Sequence, residues 1–320
     1  MSVFNAGRHL RQAIESVLAQ SFADFEFLIV NDGSTDGSGA VIDAYAARDA
    51  RIRAIHQDNR GLVASLNLLL AQAQAPLIAR MDGDDVALPA RFERQLAFMA
   101  GHPDHGVVGS WAACIDEHGA PRAELCRDQP TSHEALVQQL ETGPHLCHPS
   151  VLMRRDVVRS AGGYRAAFKH CEDYDLWLRL SERTRLCSIP ERLLQYRHSD
   201  AQVSTRHIVA QATGVAIAWA AHEARIAGQP DPTDGLDALP PIDELDALFG
   251  RPGVSRAVRA KVARSILYSP LALRGDGFDL LLSHLREAGE KDGLWRTVGR
   301  LIKFGAPARA LRLAAALAVR

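Results

Sequence analysis

From the first residue to about Asp116, short apolar runs alternate with longer stretches of helical period, the pattern of a mostly parallel sheet covered by helices. Leu10, Ile14, Val17 and Leu18 recur at helical spacing ahead of Phe25-Glu26-Phe27-Leu28-Ile29-Val30, which reads as a strand. Gly39 to Arg48 reads as the next helix, Ala54-Ile55-His56 as a short strand, Gly61 to Ala73 as a helix with an apolar stripe, and Pro76 to Met81 as the strand that follows. Arg91 to Ala100 predicts a helix, Gly106 to Ile115 an apolar strand and Ser150 to Met153 another short one. From about Ser204 the β-branched runs stop and Ala, Leu and Arg accumulate at helical spacing, so the last third predicts an all-helical extension. It is interrupted by the turn-rich stretch Gly228 to Gly235.

This rhythm places two acidic segments at the carboxyl edge of the sheet, where open α/β folds bind ligands. The first is Val30-Asn31-Asp32-Gly33-Ser34-Thr35-Asp36-Gly37-Ser38. Asp32 there is placed to accept hydrogen bonds from a base N–H or a ribose hydroxyl, while Asp36 and Ser38 suit a turn and a helix cap. The second is Ile78-Ala79-Arg80-Met81-Asp82-Gly83-Asp84-Asp85, three carboxylates directly after an apolar run. Such charges repel unless donors or a divalent cation neutralise them, and hard oxygen ligands select Mg²⁺ or Mn²⁺ over zinc. An acidic turn would carry the same letters, and the position at the sheet edge favours the ligand site. Further on, Glu172-Asp173 opens a helix whose apolar face is Leu176, Trp177 and Leu180; acidic residues there also suit the helix dipole alone.

Composition narrows the classes. The 320 residues are 47% hydrophobic, enough for two domains or one large one, and the net charge of -1 with pI near 6.9 argues against nucleic acid as the main partner. Five cysteines without C-x-x-C spacing suggest neither a disulfide framework nor a zinc site and suit a reducing cytoplasm. No run approaches the roughly 18 apolar residues of a membrane span. The sequence therefore predicts a cytoplasmic protein, soluble or peripheral on the membrane.

Read in order, Met1-Ser2-Val3-Phe4-Asn5-Ala6, Gln20-Ser21-Phe22, Asp24-Phe25-Glu26, Asn31-Asp32-Gly33-Ser34, Asp82-Gly83-Asp84-Asp85, His148-Pro149-Ser150, Gly162-Gly163-Tyr164 and Glu172-Asp173-Tyr174-Asp175-Leu176-Trp177-Leu178-Arg179 closely resemble the family-2 glycosyltransferases. The resemblance spans roughly residues 1 to 204. It implies a GT-A-type, Rossmann-like α/β catalytic domain over 1–204, with the nucleotide-sugar half at about 1–115 and the acceptor and base half at about 116–204. Residues 205–320 then form the helical C-terminal extension.

The implied activity is inverting transfer of a sugar from a nucleotide-diphosphate donor to a hydroxyl of a saccharide or lipid-linked saccharide, in cell-surface polysaccharide or glycolipid synthesis. The resemblance makes Asp84 the principal ligand of a Mn²⁺ or Mg²⁺ ion. Asp82 would reach the ligand through the metal or the ribose, with Asp85 behind them. It makes Asp32 the base-binding aspartate, with Ser2 and Asn5 lining the same pocket, and gives Arg80 either the diphosphate or a nearby carboxylate as partner. Asp173, or its neighbour Glu172, becomes the base that deprotonates the acceptor. Arg197, in Tyr196-Arg197-His198 followed by Gln202-Val203-Ser204, falls in a segment that closes over the donor and is expected to meet the diphosphate. Many relatives place the histidine one residue later, where this chain has Ser199, so His198 is expected to be a plain surface residue. His148 and Trp177 are expected at the acceptor pocket, with a packed structural role for His148 equally open.

Two other readings use related parts. A nucleotidyltransferase making sugar nucleotides would carry a Gly-rich, basic phosphate loop after the first strand, and Asn5-Ala6-Gly7-Arg8 is not one. A non-catalytic nucleotide-sugar-binding module would not need Asp32, Asp84 and Asp173 together. Relatives also carry several apolar residues ahead of the segment matched by Met1-Ser2-Val3, which predicts that a form extended by about ten upstream residues is the more stable one. From Trp295 onward Arg296, Arg300, Lys303, Arg309, Arg312 and Arg320 are unaccompanied by acidic residues and alternate with Val298, Leu301, Ile302, Phe304 and Leu311. That pattern suits an anionic membrane surface, or a helix packed on its own domain.

Overall fold

The computed structural model describes residues 1–198, 207–287, 291 and 293–318; the Gln202–Ser204 segment, the expected boundary at residue 204 and Arg320 lie outside them. Two compact units are formed, one by residues 1–166 with 172–199 and the other by 167–171 with 200–320.

The first unit is built on two sheets. Strands β1 (Ser2–Val3), β2 (Phe27–Asp32) and β3 (Ile52–Gln57) are parallel, with β2 in the centre. Strands β4 (Leu77–Ala79), β5 (Val86–Ala87), β6 (His105–Ile115), β7 (Leu152–Arg154) and β8 (Arg185–Arg197) form a mixed sheet of order β4-β7-β6-β8-β5. Only its β6–β8 pair is parallel. A parallel bridge between Ser2 and Asp82 links the two sheets, and beside it an apolar cavity of about 310 Å³ lies between Phe27, Leu28, Leu77 and Ala79.

Helix α1 (Leu10–Leu18) buries Leu10, Ala13, Ile14 and Val17, spaced i, i+3, i+4 and i+7, against Phe27 and Ile29 of β2 and against Val3 and Phe92. Helices α2 (Ser38–Ala46) and α3 (Leu62–Gln72) follow β2 and β3, so their N-termini rise from the carboxyl edge. Helix α4 (Arg91–Gly101), α5 (His133–Leu140), α6 (Arg155–Ser160) and α7 (Glu172–Ser181) complete the unit. The expected strands at residues 25–30, 54–56, 76–81, 106–115 and 150–153 are all present with shifted ends.

The longest strand, β8, carries no sequence signal. Pro190 and Glu191 interrupt it, and the register with β6 jumps from Ser110–Ile189 to Trp111–Arg192, so both residues bulge out of the ladder. A bulge is where a proline without an N–H fits a strand, and it erases the alternation that marks one.

In the second unit every described element is helical: α8 (Ile208–Ile226), α9 (Leu245–Leu248), α10 (Val254–Ile266), α11 (Pro270–Arg274), α12 (Gly277–Arg286), α13 (Leu294–Lys303) and α14 (Pro307–Ala318), with a 3₁₀ turn at Ile242–Glu244. Leu273, Phe278, Leu281, Leu301 and Leu313 form its core. The Gly228–Gly235 stretch is a loop, tied back to α8 by the 2.7 Å Arg225–Asp231 ion pair.

Candidate active site

After β4 the chain stays extended, with Arg80 N–H donating to Val151 O at 3.0 Å, until the bridge to Ser2 sets Asp82 at the end of β1. In the turn that follows, one carboxylate oxygen from each of Asp82, Asp84 and Asp85 lies within 4.8 Å of the others. Asp85 is 1% exposed; its Oδ1 accepts the Arg197 N–H at 2.8 Å, while its buried Oδ2 has no hydrogen-bond partner. Burial and the neighbouring Asp82 push Asp84 up to about 6, and burial with Asp82 and Asp84 lifts Asp85 well above the carboxylate range. A cluster in that state gains from any positive charge. An orphaned buried oxygen beside two further hard oxygen donors fits Mn²⁺ or Mg²⁺. Among the described residues no other group of three metal-ligating side chains converges in this way.

Arginines shape the turn from beneath. Arg80 is 7% exposed and pairs with Asp82, the carboxylate of its two expected partners. Burial opposes its charge, but Asp82 and Tyr164 outweigh that and raise its pKa. Arg91, fully buried on α4, donates to Arg80 O at 2.7 Å and to Val151 O at 3.3 Å, holding the backbone just before the aspartates. Arg197, at the end of β8, donates Nε to Asp84 O at 2.7 Å, Nη1 to Asp116 O at 2.9 Å and Nη2 to Gln12 at 2.9 Å. Expected to face a diphosphate, Arg197 is instead 3% exposed with its guanidinium on these groups, so it braces the acidic turn. His198 is half-buried and joins β6 through its N–H to Ile115 O at 2.8 Å.

On the other flank, Asp32 ends β2 and is 2% exposed. Its Oδ1 accepts from Gln57 Nε2 at 2.7 Å and Arg60 N–H at 2.9 Å, and its Oδ2 from Gly61 N–H at 2.9 Å. Three of the roughly four acceptor positions of a carboxylate are thus filled, which leaves about one for a ligand. Gln57 also donates to Ser65 Oγ at 3.0 Å. Ser2 lies beside Asp82 through the bridge, and Asn5, left-handed at φ 51°, accepts the Thr35 N–H at 2.8 Å and donates its own N–H to Ser34 Oγ at 3.0 Å. Ser2, Asn5, Asp32 and the acidic turn therefore share the carboxyl edge.

Helix α7 brings the second carboxylate pair. Burial and Asp173 push Glu172 up to about 7, and burial raises Asp173. Arg80 and Asp82 act on both, so the pair and the acidic turn belong to one electrostatic site. Asp173 keeps part of its surface open and accepts the Tyr174 N–H at 2.8 Å, whereas Glu172 is buried.

Buried Arg179 fixes the neighbourhood. It meets Asp175 at 2.6 Å one helical turn away and donates to Ala161 O and, at 2.8 Å, to Gly163 O. Gly163, at φ 66°, tolerates no side chain, since a Cβ would lie 2.7 Å from Asn67 Oδ1. Asn67 in turn clamps the backbone of Tyr164, whose hydroxyl lies 2.8 Å from His148 Nε2. Burial depresses the His148 pKa well below the usual histidine range, so the ring is neutral. Trp177, expected at the acceptor pocket, has no exposed surface and packs edge-on against His148 at 5.7 Å.

Sequence reasoning missed Gln57, Arg91 and Tyr164 as site residues. Tyr164 stood inside the Gly162-Gly163-Tyr164 motif, and two glycines before an aromatic were the available signal.

An acidic turn at the carboxyl edge of an α/β unit is where such folds hold ligands, and the sequence comparison gives the class. The pattern of glycosyl transferase family 2 matches residues 1–162, half of the chain, and the protein belongs to that family. EpsE of Bacillus subtilis is 38% identical over 186 residues, 57% of this chain and 65% of its own. The O-antigen biosynthesis glycosyltransferase WbnJ of Escherichia coli is 31% identical over 201 residues, 62% of this chain and 77% of its own. The fold is shared with S. aureus TarS in complex with UDP-GlcNAc (TM-score 0.58, 14% identity, 98% of this chain and 87% of that one). It is shared also with the mannosyltransferase PcManGT of Pyrobaculum calidifontis in complex with GDP-Man and Mn²⁺ (TM-score 0.52, 15% identity, 98% and 84%).

Proposed function

We propose that this chain transfers a sugar, with inversion, from a nucleotide-diphosphate sugar to a hydroxyl of a saccharide or lipid-linked acceptor in cell-surface polysaccharide or glycolipid synthesis. The observation that carries the reading is the convergence of Asp82, Asp84 and Asp85 at the sheet's carboxyl edge, with carboxylate oxygens within 4.8 Å of one another and buried Arg80 paired to Asp82. Asp173 takes the acceptor proton as the new oxygen–carbon bond forms and the anomeric carbon's bond to the diphosphate breaks. The nucleoside diphosphate leaves with that electron pair. Asp84 and Asp82 would hold a divalent cation, with Asp85 Oδ2 behind them, and the cation supplies Lewis-acid stabilisation of the departing diphosphate. Asp32 and Asn5 order the loops on the donor side. WbnJ, named for O-antigen biosynthesis, and the nucleotide-sugar complexes of TarS and PcManGT support the choice of donor and pathway class.

Calorimetric titration of UDP, GDP and dTDP, each with and without Mn²⁺, tests this. Metal-dependent binding of one nucleotide is expected, and no binding of any would overturn the reading.

Peripheral membrane contact belongs to the same proposal. No helix among the described residues is long and apolar enough to cross a bilayer. Helix α13 buries Leu294, Thr297 and Leu301 but leaves Trp295 at 59% and Ile302 at 60% exposed, next to exposed Arg296 and Lys303. An aromatic and an aliphatic anchor flanked by cations suit the headgroup region of an anionic bilayer. In flotation with vesicles containing phosphatidylglycerol the protein is expected to rise with the lipid, and Trp295→Ala with Ile302→Ser to stay below. Wild-type protein remaining below would remove the membrane contact.

A further inference from the structure

The polar side chains at the ends of β2 and β3 form two cross-strand pairs, because the parallel register sets Asn31 opposite His56 and Asp32 opposite Gln57. Successive side chains on a strand face opposite sides of the sheet, so one pair points toward α2 and the other toward α3. The Asp32–Gln57 pair ends on Ser65 of α3. The Asn31–His56 pair ends on Asp43 of α2, with His56 Nε2 2.9 Å from Asp43 Oδ1.

The tautomer of His56 follows from the chain of bonds. Asn31 Oδ1 accepts the Ser34 N–H at 3.1 Å, and a backbone N–H can only donate, so the other end of the amide, Nδ2, faces His56 Nδ1 at 3.1 Å. Nδ2 is a donor. Nδ1 must therefore be the bare, accepting nitrogen, and the ring proton sits on Nε2, where Asp43 receives it. Turning the Asn31 amide over would set donor against donor at Ser34. Ser34 Oγ in turn accepts the Asn5 N–H at 3.0 Å, and Asn5 Oδ1 accepts the Thr35 N–H at 2.8 Å. Gly39 at the start of α2 leaves the room, since a Cβ there would lie 2.9 Å from Asn31 Nδ2.

We propose that His56 is a positioning residue for donor binding: through Asn31 it holds residues 31–35 in the conformation that receives the nucleotide, without touching the nucleotide itself. The inference rests on the donor-site reading given above. His56 lies behind the loop, away from the carboxylates that carry the chemistry, so its loss should weaken donor binding while the turnover of bound donor is kept.

The test compares wild type, His56→Ala and His56→Gln in nucleotide titrations with Mn²⁺ and in steady-state kinetics, with melting temperatures as a control. Glutamine reproduces the pattern, with an oxygen to accept from Asn31 and an amide to donate to Asp43. His56→Ala is expected to raise Kd and the donor KM about five- to tenfold, the loss of one ordering hydrogen bond, with kcat within about twofold. His56→Gln is expected to restore both constants. Unchanged affinity in His56→Ala overturns the proposal, and so does equal weakening in both variants, which would make ring packing the cause. If His56→Ala does not fold, His56→Leu replaces it: weakened affinity that His56→Gln does not share supports the assignment, and unchanged affinity overturns it. Wild-type protein that binds no nucleotide would sink the donor-site reading itself, an outcome separate from these.

Discussion

Asp173→Asn is expected to lower kcat by about a hundred- to ten-thousand-fold while nucleotide binding stays near the wild-type value, the range for loss of a positioned general base. Asparagine keeps the shape and the hydrogen bond from the Tyr174 N–H but takes no proton. Glu172→Gln should cost much less, under about tenfold, because Glu172 is buried and its pKa is pushed up to about 7 by burial and by Asp173. Burial raises both carboxyls, which therefore titrate as a pair.

The pH dependence has a definite sign. The base acts ionised, so kcat/KM rises with pH as the pair loses its protons and falls toward acid as it regains them. Removing the neighbour's titration in Glu172→Gln should move that acidic limb to lower pH. Stability runs the other way: a carboxyl with a raised folded-state pKa binds its proton more tightly folded than unfolded. Stability is therefore lost as pH rises from the ordinary value of 4.5 through about 7, and Glu172→Gln should melt higher than wild type at pH 8. If Glu172→Gln is the variant that abolishes turnover and Asp173→Asn the mild one, the roles of the two are exchanged.

Asp84→Ala is expected to reduce nucleotide binding in Mn²⁺ to the level seen without it, and kcat by about a hundred- to a thousandfold, the loss typical of one lost source of charge stabilisation at a leaving group. The same substitution should act oppositely on stability without metal. Asp82, Asp84 and Asp85 repel one another, and burial and Asp82 hold Asp84 at about 6, so removing its carboxylate relieves strain at neutral pH. Without Mn²⁺ the variant should melt higher than wild type; at saturating Mn²⁺ with nucleotide the order should reverse, since only wild type gains binding free energy. Equal melting curves with and without Mn²⁺ in wild type would make the cluster an acidic turn.

The site was legible where its residues follow one another in the chain. Asp32 and the Asp82–Asp85 run end predicted strands, so strand ends alone placed them at one edge. Arg91 was not legible, because a buried arginine on α4 and an exposed one look alike until the acceptors Arg80 O and Val151 O are known. Arg197 and Trp177 were drawn toward the ligand by their neighbours in the motif, yet their contacts turn them to the backbone of the acidic turn and to the back of His148. Strand β8 was hidden by the bulge at Pro190 and Glu191.

Hydrophobic periodicity by itself determined the α/β character of the first part and the helical character of the last, because burial of one face of a helix or strand repeats locally along the chain. The acidic motifs and their order were equally local and named the class of chemistry. Tertiary structure alone decided the mixed β4-β7-β6-β8-β5 sheet, the tautomer of His56, and the desolvation that raises both Glu172 and Asp173. Each of these depends on groups far apart in sequence. Pairing across strands, desolvation and charge act through distance in space, which a linear pattern does not record.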